Sequence, residues 1–79
     1  MDKVPLVGWC MVCKEKCKDC DASALVFDDN FIDYHKICAE HLTAEEIKEL
    51  KPEGVKTYPF IYYNGKFFGG FLDLVRKYG

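Results

Sequence analysis

No apolar run in this chain approaches the ~20 residues of a membrane-spanning helix, so no membrane-embedded role is expected. Neither sign of charge dominates. The net charge is −2, which leaves no electrostatic footprint for nucleic acid or an anionic membrane surface. Internal repeats, low-complexity tracts and linker-like stretches are all missing. With 79 residues there is little room for a second core, and a single domain over residues 1–79 is expected. Met1-Asp2-Lys3 runs straight into Val4-Pro5-Leu6 without a signal-peptide pattern. The chain is therefore expected to stay where it is made, in a reducing cytoplasm. An even cysteine count is missing too. Five cysteines stand at 10, 13, 17, 20 and 38, which argues against a secreted disulfide framework. Closely spaced cysteines in a reducing compartment point instead to redox chemistry or metal.

What is there reads as alternating strands and helices. Leu6 to Cys13 is almost continuously apolar, as suits a central strand covered on both faces. Lys14-Glu15-Lys16 interrupts it as a loop. Asp21 to Phe27 reads as a short helix with Ala24 and Phe27 on one side, ended by Asp28-Asp29-Asn30. Phe31 to Ile37 reads as a second strand. Thr43-Ala-Glu-Glu46 is a capping box opening a helix that carries Ile47 and Leu50 inward and is stopped by Pro52 and Gly54. Asn64-Gly65 between two short apolar runs is a hairpin signal, with Pro59 at the mouth of the first run. After Gly69-Gly70, the residues Phe71, Leu74, Val75 and Tyr78 fall on one helix face. The order is βαβαββα. The first strand, helix and strand form a parallel pair with a right-handed crossover, and the hairpin adds two antiparallel strands. The expected architecture is α/β: a four-stranded mixed sheet with helices on both faces, the smallest form of the thioredoxin-type fold.

Two Cys-x-x-Cys pairs compete, Cys10-Met-Val-Cys13 and Cys17-Lys-Asp-Cys20. A dithiol site needs its first sulfur at a helix N-terminus, where unpaired N–H groups and the helix dipole favour thiolate. Cys17 and Cys20 follow the apolar strand through a short loop and precede Ala24, Val26 and Phe27. The other register ends the first strand near Gly8 and starts the helix at Cys10. Cysteines 10, 13, 17 and 20 would then form an inward stripe with Ala24, so the spacing alone leaves both registers open.

Thr57-Tyr58-Pro59, Asn64-Gly65-Lys66 and Gly69-Gly70-Phe71 with Asp73 occur in the order and spacing of the second half of a glutaredoxin, and the chain resembles that family over nearly its whole length. The resemblance favours Cys17 and Cys20 as the catalytic pair. It implies a cis Pro59 and a thiol–disulfide oxidoreductase using glutathione as reductant. In the family, glutathione is held by a lysine before the first cysteine, a basic residue before Thr-x-Pro, and the start of the last helix. These positions are Lys14, Lys56 and Gly70-Phe71-Leu72, with Tyr58 and Pro59 facing the substrate. Partners implied are disulfide-containing proteins, ribonucleotide reductase among them, acted on by a monomer. Two departures stand out. The family's Pro-Tyr between the cysteines is Lys18-Asp19 here, and the first Asp after Gly-Gly-x is Leu72.

Two other classes compete. Cys10-x2-Cys13-x3-Cys17-x2-Cys20 offers four thiolates to zinc or an Fe–S cluster, with His35, Cys38 and His41 as further ligand types. The favoured reading assigns no metal. Alternatively, the fold serves only to bind a partner through the Tyr58–Pro59 face without turnover.

Overall fold

The computed structural model describes residues 4–51, 54–55 and 57–78. Strand β1, Trp9–Cys13, is buried along its whole length, as its two-faced apolar sequence requires. It pairs in parallel with β2, Tyr34–Cys38, and antiparallel with β3, Phe60–Tyr63; β3 pairs antiparallel with β4, Lys66–Gly69. The sheet order is β2-β1-β3-β4. Helix α1, Lys18–Asp29, makes the crossover between β1 and β2. A 3-10 turn at Ala39–His41 leads to α2, Ala44–Leu50, and α3, Phe71–Tyr78, ends the fold.

Alternation along β1 divides the core. Trp9, Met11 and Cys13 face α1 and α3 and pack with Cys17, Cys20, Phe27, Ile61 and Leu74. Cys10 and Val12 face the other way, onto Val4, Ile37, Leu50, Phe60 and Tyr62. Helices thus cover both faces of a mixed four-stranded sheet. Trp9 anchors the first layer, meeting Phe68 edge-on with ring centroids 4.9 Å apart and Phe27 at 5.6 Å. On the second, the Tyr62 hydroxyl donates to the Leu50 carbonyl.

Element ends differ from the sequence pattern for local reasons. α1 is longer than Asp21–Phe27: Cys17 caps it, and it continues through Asp28 and Asp29. Its end is a Schellman motif, in which Ile32 N–H donates to the Phe27 carbonyl and Phe31 N–H to that of Asp28. Phe31, not glycine, takes the left-handed position at φ 57°. The turn consumes Phe31 to Asp33, so β2 starts only at Tyr34. Ser23 is fully buried in α1 because its hydroxyl donates to the Asp19 carbonyl at 2.7 Å. The Thr43 capping box forms with both hydrogen bonds; of the two stops expected after it, Pro52 lies outside the described residues. At the hairpin, Asn64 and Gly65 both have positive φ, the type I′ geometry that matches strand twist. Asn64 is also tied to the chain before β1, exchanging hydrogen bonds with Gly8.

Candidate functional site

The end of β1, the start of α1, the turn before β3 and the start of α3 meet at one edge of the sheet. Cys17 is the N-cap of α1, and its Sγ accepts the Cys20 N–H at 3.1 Å. A sulfur in this place faces the unpaired N–H groups of the first helical turn. It opens onto a pocket of about 300 Å³ lined by Lys14, Lys16, Lys18, Asp19, Thr57 and Tyr58. Three ammonium groups and one carboxylate make that mouth cationic.

Cys20 lies one turn into the helix and points inward. Burial, then its hydrogen bond to Cys17, push its thiol far above the ordinary range. The Lys14 backbone N–H donates to the same sulfur. Cys13 lies on the same face of the sheet, and its thiol donates to the Met11 carbonyl at 3.8 Å; burial raises it to about 11, with the Cys20 side chain opposing. Cys10 occupies the opposite core layer, also raised to about 11 by burial and then by Cys13. Cys10 and Cys13 therefore point to opposite faces of β1, as adjacent-turn sulfurs on a helix would not. The strand passes through both, and the helix opens at Lys18. Four sulfurs at 10, 13, 17 and 20 do not converge. Cys38 is paired with Cys13 across β1–β2 and lines a separate shallow pocket with His35 and His41. Among the described residues, no group of three or more His, Cys, Asp or Glu side chains could hold a metal ion.

The Tyr58–Pro59 peptide is cis. Pro59 is buried, and Tyr58 stacks on Phe60 with ring centroids 4.5 Å apart. Lys14 stands over the Tyr58 ring, its Nζ 5.4 Å from the centroid. The Lys14–Lys16 loop is held by the Glu15 N–H, which donates to the Glu40 carboxylate; this bond, with others, lowers Glu40 below the usual carboxylate range.

A second pocket of about 310 Å³ continues from Asp19, Thr57 and Tyr58 past Pro59 to Gly70, Phe71, Leu72 and Asp73, with Val55 and Phe67 as further walls. Asp19, Thr57 and Tyr58 line both pockets, so they form one groove running from Cys17 to the start of α3. Asp73 at the third position of α3 accepts the N–H of Gly70 at 3.0 Å, half of a capping box. Leu72 is exposed on the rim.

The groove brings together Lys14, Cys17, Tyr58, Pro59, Gly70, Phe71 and Leu72, with Cys20 beneath it; Lys56 lies outside the described residues. Reading the sequence missed Lys16, Asp19, Val55 and Phe67 as groove walls. Phe67 was detectable. Once Phe68 is assigned to the Trp9 layer, strand alternation turns Phe67 to the other face, where it meets Tyr62 edge-on.

No family model matches the sequence, and no curated protein matches it. Among solved structures, the chain is similar to the holo form of glutaredoxin C1 from Populus tremula x tremuloides. The match has a TM-score of 0.74 at 18% identity and covers 90% of this chain and 73% of the other. The chain has a glutaredoxin-like thioredoxin fold.

Proposed function

We propose that the protein is a glutathione-linked thiol–disulfide oxidoreductase with Cys17 as nucleophile and Cys20 as resolving thiol. One observation carries this reading: the Cys17 sulfur caps α1, accepts the Cys20 N–H at 3.1 Å and opens onto the groove. The thiolate of Cys17 attacks one sulfur of a substrate disulfide. A mixed disulfide forms, and the other substrate sulfur leaves as thiolate and takes up a proton. Cys20, deprotonated, then attacks Cys17 Sγ, forming the Cys17–Cys20 disulfide and releasing the substrate thiol. With a glutathione mixed disulfide, external glutathione can instead attack the glutathione sulfur and restore Cys17 directly.

Glutathione fits the groove at both ends. Lys14 supplies positive charge for one carboxylate. The first-turn N–H groups of Phe71 and Leu72 supply donors for the other. The backbone of Tyr58, beside Cys17, offers strand-like pairing to the peptide between them. Such a protein acts as a monomer in a reducing, cytoplasmic compartment on disulfide-containing proteins, a class that includes ribonucleotide reductase.

The test is reduction of a small glutathione mixed disulfide with glutathione as sole reductant, coupled to glutathione reductase and followed by NADPH consumption. Turnover well above the protein-free rate is expected. A rate equal to that background contradicts the reading and favours a binding protein without turnover.

A further inference from the structure

The proposed chemistry uses two thiols and leaves a third beside them unexplained. Cys13 ends β1 on the face toward α1, 3% exposed, in the same core cluster as Cys17 and Cys20. Its thiol donates to the Met11 carbonyl at 3.8 Å, and the Cys20 side chain is the first of the neighbours that oppose the effect of burial on it, while Cys17 Sγ accepts the backbone N–H of Cys20. Cys20 therefore lies in one cluster with two possible sulfur partners, Cys17 at the groove and Cys13 in the core.

We propose that Cys13 is a third exchanging thiol: it takes Cys20 from the Cys17–Cys20 disulfide and returns Cys17 to the groove as a free thiol. This rests on the reading of Cys17 and Cys20 as the redox pair. In the step, Cys13 loses its proton to solvent and attacks Cys20 Sγ. The Cys13–Cys20 bond forms, the Cys17–Cys20 bond breaks, and Cys17 leaves as thiolate and takes up one proton. No electrons enter or leave the protein. The direction follows from the two environments. Cys17 leaves at the N-terminus of α1, where its sulfur accepts the N–H of Cys20, a place that favours negative charge. Cys13 lies in the core, where burial raises its thiol to about 11 despite the opposing effects of Cys20 and Lys36. Its thiolate is scarce at neutral pH, so the exchange follows formation of the Cys17–Cys20 disulfide and does not compete with it. The oxidised protein then keeps its oxidising equivalents inside while Cys17 is free to attack again.

Trypsin separates the three sulfurs, because Lys14, Lys16 and Lys18 lie between them. Cys13 falls in peptide 4–14, Cys17 in 17–18 and Cys20 in 19–36. The reduced full chain is mixed with one equivalent of oxidised glutathione, sampled over time, quenched in acid, blocked with N-ethylmaleimide and digested without reduction. The expected early product links 17–18 to 19–36. The expected late product links 4–14 to 19–36 through Cys13, with Cys10 and Cys17 both alkylated, and it reaches at least half of the oxidised protein. In Cys13→Ala and Cys13→Ser the late product is lost. If only the early link persists in the wild type, or if fragmentation places the late link at Cys10, the exchange is refuted and the Cys17–Cys20 site stands. If Cys20 links to neither partner, both the exchange and the site reading fall.

Discussion

Replacing Gly69 with alanine should cost more than a surface glycine does, and the reason lies in how α3 is held under the groove. Gly69 closes β4 with φ 151°, where side-chain-bearing residues are strained. A Cβ built there would sit 2.7 Å from Asp73 Cβ and 2.6 Å from its Cγ. The Asp73 carboxylate accepts the Gly70 N–H at 3.0 Å. The added methyl therefore displaces the cap as well as straining the backbone. Backbone strain at such a position costs about 1–2 kcal/mol, and loss of a cap about 1 kcal/mol. The expected sum, about 2–3 kcal/mol, is a large share of the roughly 4–12 kcal/mol that a chain of this size has. Equilibrium urea unfolding of the reduced protein should show the midpoint falling by about 2 M or more at an unchanged slope near 1 kcal/mol/M. A double-mutant cycle isolates the cap: in an Asp73→Ala background, Gly69→Ala should cost about 1 kcal/mol less, because the cap is already gone. A total loss under about 0.5 kcal/mol, or an identical loss in both backgrounds, would refute this account of the α3 start.

Two further outcomes follow from the thiols. In the glutathione-coupled assay, Cys20→Ser should retain deglutathionylation but lose dithiol reduction of a protein disulfide, whereas Cys17→Ser should lose both; equal losses in the two variants would contradict the assigned roles. Alkaline stability should depend on Cys10, whose thiol rises from 9.0 to about 11 on burial. Between those values the folded state holds more protons than the unfolded one, so this contribution is complete below pH 9 and is lost as pH rises through 11. The thiol alone removes roughly 2 kcal/mol by pH 11. Unfolding free energies of Cys10→Ala should therefore fall less steeply over that range than those of the wild type, and parallel curves would show that no such shift exists.

The mixed four-stranded sheet and the three helices were legible because their elements rest on short-range signals, whereas the order β2-β1-β3-β4 came only with the folded chain. The two-faced apolar run, the Thr43 capping box and the Asn64-Gly65 turn each require only a few neighbouring residues to be right. Element ends were less legible. Phe31 reads as the start of the second strand from the rough alternation of Phe31 to Ile37, yet the Schellman motif places it in the left-handed position that glycine usually fills. The choice between the two Cys-x-x-Cys pairs lay beyond periodicity, since cysteines at 10, 13, 17 and 20 suit a helix stripe as well as a strand followed by a cap. The structure orients Cys10 and Cys13 to opposite sides of β1, a consequence of pairing with both β2 and β3 that no local pattern encodes. The groove walls contributed by Asp19 of α1, Val55 of the chain between α2 and β3, and Phe67 of β4 meet only in the folded chain.

The central claim is that Cys17 is the reacting sulfur, and a brief iodoacetamide reaction of the reduced protein at about pH 6 tests it most directly. Cys17 opens onto the lysine-lined mouth and receives a peptide N–H, while burial raises Cys10, Cys13 and Cys20. Tryptic mapping should find the first label on the 17–18 peptide, with the 4–14 and 19–36 peptides lagging. A first label at Cys10 would move the nucleophile to the other pair and overturn the site, and uniformly slow labelling relieved by a chelator would replace the redox reading with a metal centre.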